Sequence, residues 1–264
     1  MSSTSPSRLP GVATTAWLGL AFLYIPILCV IVFSFNSSQL ITVWQDFSVK
    51  WYYKAFENDD LRRATLNSVI VAVGSTFFAT TIALMAAVGM RGGQAPKAAQ
   101  QSSYFLMTLP LLIPEIVIAV ATMSFFAIIG LKLGLGNVLI AHTVFCIPFA
   151  YSPIRARIET LQPALFEAAA DLYADPWHAF RNVTLPLMIP GITSGAMLAF
   201  ITSLDDFIIT QLVAPPGAMT LPVYIYSMVR KGITPEINAV STVLLVISIV
   251  LVVLSYIINQ RKAA

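Results

Sequence analysis

The residues able to do chemistry here are few and set in unusual company. Glu115 follows Leu109-Pro110-Leu111-Leu112-Ile113-Pro114 inside an otherwise apolar run. An acid in that position can bind a cation or hold a proton, or serve as a structural group bonded to a neighbouring helix. A second acidic group, Ser203-Leu204-Asp205-Asp206-Phe207, closes another apolar run. Adjacent helical residues point about 100° apart, so one of Asp205 and Asp206 faces any given path. Two solvated acids at a helix end are the plainer alternative. The two histidines, His142 and His178, are 36 positions apart and form no His-Glu-x-x-His pattern. His142 reads as a core histidine with its hydrogen bonds satisfied. The chain has no Gly-x-x-x-x-Gly-Lys-[Ser/Thr] stretch to cradle phosphates and no defensible Ser/His/Asp set. An enzyme, or an ATP site in this chain, is therefore not expected.

The elements that must position those acids follow from composition. Of 264 residues, 58% are hydrophobic and 10% charged, against about 45–50% and about 25% in a typical soluble domain. Mean hydropathy is +0.82. Too few charges remain to cover a water-soluble surface, and the same numbers exclude disorder. The net charge of +3 asks for no nucleic-acid partner. The class is a polytopic membrane protein.

Long charge-free stretches mark six spans, at 14–35, 66–90, 104–129, 136–155, 186–207 and 238–258, each near the ~20 residues that a bilayer requires. Continuous apolar runs favour helices over barrel strands. The stretch 207–229 is uncharged, but Ala214-Pro215-Pro216-Gly217 and Leu221-Pro222 predict a loop or re-entrant segment. The first run exceeds a signal-peptide core and is expected to remain as a span. Cys29 and Cys146 read as small core hydrophobes inside spans rather than as a disulfide or metal pair. With both termini inside, Lys and Arg divide eight inside to seven outside. The positive-inside rule then decides nothing.

Residues 155–185 form the longest polar segment between spans. Pro163 suits the start of one short helix. Asp175-Pro176 predicts a cap and first residue for a second. Leu165, Phe166, Ala169 and Leu172 give the first helix a narrow apolar face. That face must pack on its own chain, lie in the membrane interface or dock on a partner.

The stretch Glu167-Ala168-Ala169-Ala170-Asp171-Leu172-Tyr173-Ala174, with Phe180 and Thr184-Leu185-Pro186, resembles the EAA loop of ABC-transporter permeases. The resemblance implies an ATPase-coupling helix that uses Glu167, Ala168, Ala169, Asp171, Leu172, Ala174, Phe180, Leu185 and Pro186. It also implies that 155–185 is cytoplasmic, which orients the chain. Tyr173 stands where that family usually has Gly. Left-handed geometry there would cost a tyrosine about 1–2 kcal/mol, so the turn is strained, is built differently, or presents Tyr173 to a hollow in the ATPase.

Phe35-Asn36-Ser37-Ser38, the Pro-x-x-x-Pro-Glu run, Ser-Leu-Asp-Asp, and Pro222 through Arg230 with Pro235-Glu236-Ile237-Asn238 are similar to permeases of spermidine/putrescine importers. Among these the chain looks most like the second permease of a putrescine system. The resemblance implies an all-α fold of six transmembrane helices, the type I ABC importer permease fold, with the coupling helix between spans four and five. It divides the chain into a cytoplasmic tail at 1–13, a first helix at 14–35, a periplasmic segment at 36–65, a permease domain at 66–258 and a tail at 259–264. It implies a heterodimer with a homologous permease, two copies of an ATPase that carries the ATP and Mg, a periplasmic binding protein and a bacterial inner membrane. No cofactor is expected in this chain. Glu115, Asp205, Asp206, Tyr224 and Tyr226 are the expected substrate path, with Trp44 and Trp51 as further aromatics. Drawn on straight spans, Glu115 lies about 16 Å in and Asp205 about 27 Å along its helix, so the acids fall at separate depths. Another organic cation, an amino-acid-like compound or ferric ion are alternative substrates. A self-contained secondary transporter or channel is the distant alternative.

Overall fold

The computed structural model describes residues 11–40, 43–91, 96–131, 134–171, 173, 175–231 and 234–263. Among these residues the chain is helical, with one isolated antiparallel bridge between Asn36 and Phe47. In a bilayer every backbone N–H and C=O must find its partner within the protein, and a helix meets that demand locally. The long helices are α1 (Val12–Ser34), α3 (Asp59–Arg91), α6 (Leu135–Glu159), α9 (Leu185–Asp205) and α12 (Pro235–Ala263). Between them lie α2 (Lys50–Glu57), α4 (Lys97–Thr108), α5 (Glu115–Ile128), α7 (Ala164–Asp171), α8 (Pro176–Ala179), α10 (Ile208–Val213) and α11 (Leu221–Lys231).

Four of the described helices are long and apolar enough to cross a membrane, or five if α4 and α5 count as one broken span. The expected sixth span falls on α12, whose described apolar part, Pro235–Val250, is shorter. α3 begins seven residues before the expected 66, because Asp59 to Thr65 continue its helix in polar sequence.

The expected third span is broken rather than bent. α4 stops at Thr108, a 3₁₀ turn covers Leu109–Leu111, and α5 starts at Glu115 with its axis turned by 101°. Pro110 and Pro114 supply no N–H, and the extended backbone of Pro114, φ −54, ψ 132, ends the helical path there. Glu115 is consequently the first residue of a new helix, and a depth measured along a straight span does not apply to it. The uncharged stretch 207–229, expected as a loop or re-entrant segment, carries the short helices α10 and α11, with the Pro215–Gly217 turn between them.

The chain packs as two units: residues up to Asp59 with Ile225–Val246, and Asp60–Tyr224 with Ile247–Ala264. In the first, Asn36 organises the segment after α1. Its side chain accepts from the N–H groups of Ser38 (3.1 Å) and Gln45 (3.0 Å) and donates to Val43 O (2.7 Å). The Trp51 indole donates to Asn36 O at 2.8 Å. Asn58 and Glu236 are bonded at 3.1 Å.

The second unit is built on α3, α5, α6, α9 and α10. Lipid tails are as apolar as leucine, so close packing and interhelical hydrogen bonds hold such helices together. α3 presents Ala72, Ser75, Ala79, Ala83 and Ala87, all buried, at helical spacing. α6 and α9 approach still more closely. A Cβ on Gly195 would sit 2.5 Å from Ala150 O, and one on Gly191 would sit 2.5 Å from Arg157 Cβ. Large apolar residues such as Phe77, Ile116 and Phe125 are exposed, as suits hydrocarbon-facing positions. Cys146 is buried in this core, whereas Cys29 is exposed on α1 and is not the core residue expected; neither is in a disulfide.

Candidate functional site

The acids expected at separate depths are brought together. α9 ends at Asp205, and Asp206 leaves the helix at φ −63, ψ 127. Its carboxylate folds back onto the first turn of α10. Oδ1 accepts from Ile209 N (3.2 Å), and Oδ2 accepts from Thr210 N (3.0 Å) and Thr210 Oγ1 (3.1 Å). His142 Nε2 lies 3.1 Å from the same Oδ2, with both side chains 1% exposed. The carboxyl of Glu115 comes near that of Asp206. Glu115 is half-buried at the start of α5, while Asp205 is exposed.

The imidazole joins three elements. His142 Nδ1 is 2.8 Å from Ser203 Oγ on α9, and Nε2 is 2.8 Å from Thr210 Oγ1 on α10. Ser75 Oγ on α3 donates to Ser203 Oγ at 2.9 Å, the shorter of its two acceptor distances. His142 is thus a fully satisfied core histidine, as expected. Ser75 and Thr210 had no sequence signal. Hydroxyls on membrane helices often bond their own preceding carbonyl, as Thr143 does to Leu139 O at 2.7 Å.

The expected aromatic path divides. Tyr224 is half-buried and Tyr226 exposed, both on α11. Trp44 is exposed, but Trp51 offers no open face. It is buried, with Lys50 Nζ 4.9 Å and Lys54 Nζ 5.3 Å from its ring centroid.

The second expected site is the segment between α6 and α9. Its ends are fastened on this chain. Arg157 Nε donates to Leu187 O at 2.9 Å, while Arg155 pairs with Glu159 at 2.7 Å and lies 4.0 Å from the Tyr104 ring centroid. α7 follows Pro163 and exposes Glu167, Ala168 and Asp171, while Ala169 is buried. Leu172 and Ala174 lie outside the described residues. Tyr173 has φ +56, so the strained turn is the one adopted, and its side chain is 96% exposed.

Asp175 caps α8 as expected, accepting from His178 N at 2.8 Å with Pro176 next in line. That N–H foremost, and then the His178 imidazole, hold the Asp175 carboxyl below its ordinary range. A π-helical turn, Phe180–Thr184, leads into α9. Phe180 packs 5.7 Å from the Trp177 ring. Together with Leu185, Phe180 lines an apolar groove of about 890 Å³ along α3 and α9. Pro186 is exposed beside it.

Residues 79–262, which hold both sites, match the family described as "Binding-protein-dependent transport system inner membrane component". The chain belongs to that family. This permease is 38% identical over 243 residues to the spermidine/putrescine transport system permease protein PotC of Escherichia coli (strain K12), covering 92% of this chain and 91% of that one. It is 35% identical over 252 residues to the putrescine transport system permease protein PotI of the same strain, covering 93% and 89%. The two systems' permeases therefore match it to a similar degree. Among solved structures it is similar to a chain of a bacterial ABC transporter that imports the acidic polysaccharide alginate. There the TM-score is 0.72 at 18% identity, over 95% of this chain and 93% of that one. A chain of the MetNI methionine ABC transporter gives a TM-score of 0.65 at 23% identity, over 76% and 95%. At those identities the likeness is one of fold, and that fold is the one found in ABC importers.

Proposed function

We propose that this permease forms half of the transmembrane path of an ATP-driven importer for polyamines such as putrescine and spermidine. The carrying observation is the Glu115–Asp206 carboxyl pair. It lies within a chain 35–38% identical, over more than nine-tenths of its length, to permeases named for those substrates. An acid inside a membrane protein is costly to insert, about 2.5–3.5 kcal/mol on translocon scales, and is by default functional. A pair of them suits a cationic cargo and repels an anionic one. The other half of the path would come from a homologous permease, and a periplasmic binding protein would deliver the amine.

The exposed Glu167, Ala168 and Asp171 on α7 would seat in a groove of a cytoplasmic ATPase present in two copies. That ATPase would hold the ATP and Mg. Such docking accounts for a short helix that leaves Glu167, Ala168 and Asp171 exposed. Six spans, with α4–α5 as the broken third and α12 as the sixth, would leave both termini in the cytoplasm of a bacterial cell.

The test is uptake by the assembled importer in proteoliposomes. A panel of putrescine, spermidine, a monoamine, a basic amino acid and ferric ion would be presented on the binding protein. Uptake of the two polyamines above the rest is expected. A neutral amino acid and an anionic sugar complete the panel, and uptake of either one, or of the monoamine, basic amino acid or ferric ion, in place of the polyamines would overturn the reading.

A further inference from the structure

The hydrogen bonds behind Asp206 have a direction. The Thr210 hydroxyl donates its only proton to Asp206 Oδ2, so toward His142 it can only accept. His142 Nε2 must therefore carry the proton, shared between Thr210 Oγ1 and Asp206 Oδ2. Ser75 donates to Ser203, leaving the Ser203 proton for His142 Nδ1. Every group is satisfied with a neutral imidazole, and every donor points toward Asp206. The chain runs from α3 through α9 and α6 to the α9–α10 junction. Oδ2 takes three donors and Oδ1 takes one, so the spare acceptor capacity of this carboxylate lies on Oδ1.

Among the described residues no Lys or Arg partners either Glu115 or Asp206. Two neighbouring carboxyls with no Lys or Arg partner among the described residues suit a mobile positive group between them, an ammonium when loaded. His142 itself is fully buried and cannot touch the cargo.

We propose that His142 is a positioning residue for the transported cation: it holds Asp206 against Glu115, so that the two acids form one seat for a single ammonium group. This deepens the polyamine reading and rests on it, since it takes Glu115 and Asp206 to line the path. Two successive sites at different depths, the expectation from straight spans, are replaced by one.

The decisive readout is uptake per ATP hydrolysed by the assembled importer in proteoliposomes, because a structural defect lowers both quantities together. His142→Leu removes the donor to Asp206 and is expected to lower the ratio about tenfold, the scale of one hydrogen bond to a charged group. His142→Gln keeps an amide N–H within reach of Asp206 and should restore most of the ratio. In an Asp206→Asn background, His142→Leu should lower it no further. Equal ratios for the Leu and Gln variants, a proportional loss of uptake and hydrolysis, or additive effects with Asp206→Asn would each overturn the proposal. If the Leu variant does not assemble, His142→Asn replaces it. Its amide is one methylene short of Asp206, and a ratio equal to that of the Gln variant would overturn the proposal. Should the wild type prefer another cation to putrescine, the polyamine reading fails, and the same variants are read with that cation. A cargo without positive charge overturns both.

Discussion

Asp206 is tied to His142 at 3.1 Å and in the same position caps the turn that starts α10. One side chain therefore serves both the break between α9 and α10 and the cluster facing Glu115. Considered only as a membrane charge, Asp206 should be replaceable by an isosteric amide at no cost to folding. The geometry says otherwise. Asp206→Ala leaves two backbone N–H groups and a hydroxyl without their acceptor, each costing about 1–3 kcal/mol where water cannot reach, while the imidazole keeps Thr210 Oγ1. Its thermal inactivation in detergent should come well below that of the wild type, with Asp206→Asn between the two. Equal stability of the Ala variant and the wild type would contradict the cap.

The α6–α9 contact leaves no room for a methyl group at Gly195, where a Cβ would meet Ala150 O at 2.5 Å. Backbone cannot step aside as a flexible side chain can, so Gly195→Ala must part the helices. A loss of about 1–3 kcal/mol is expected. Gly89 on α3 has nothing within 4 Å of the same added atom, so Gly89→Ala should be neutral or slightly stabilising. Comparing melting temperatures of the two variants separates helix crowding from helix propensity.

Tyr173 is held at φ +56 with its ring in the open. Replacing it by Gly removes about 1–2 kcal/mol of left-handed strain and adds chain entropy to the unfolded state worth about 0.5–1 kcal/mol. Tyr173→Gly should therefore melt no lower than the wild type, and Tyr173→Val should melt lower, because a β-branched residue fits that region worst. If the ring fills a hollow in the ATPase, the Gly variant will be stable but will stimulate ATP hydrolysis less.

Glu167 is exposed on α7, with no side-chain hydrogen bond or ion pair among the described residues. Glu167→Lys should leave the melting temperature of the isolated permease in place while reducing recovery of the ATPase on co-purification several-fold. Undiminished recovery together with normal uptake would place the docking surface elsewhere.

Orientation can be read by labelling. In a background lacking Cys29 and Cys146, a cysteine at Asp59 should react with an impermeant thiol reagent added outside, and one at Gln162 should not. Both positions are exposed in the fold, so accessibility reports the side of the membrane. Labelling of position 162 from outside would reverse the assignment.

What the amino-acid order determined alone was what local physics can decide. Apolar runs of bilayer length predicted long helices, and α1, α6 and α9 lie where they were expected to within a few residues, while α3 starts seven residues earlier. Asp175-Pro176 predicted a capped helix start, which is found, because a cap needs only its own next three residues. The acids Glu115 and Asp206 stood out because carboxylates are rare in such runs. Whether the Pro110–Pro114 segment bends or breaks was not legible, since two proximal prolines permit both and packing chooses. Nor was the meeting of Glu115 with Asp206, which lie 91 positions apart and come near each other only because α5 turns by 101° and α9 stops at Asp206. His142 could be read as satisfied but not as the residue that holds Asp206. Its partners Ser203 and Thr210, and Ser75 behind Ser203, come from three other helices, and a hydroxyl on a helix gives no sign in sequence of whether it bonds its own backbone or its neighbour. That choice is made by the helix crossings, and these depend on where alanine, serine and glycine let the backbones approach.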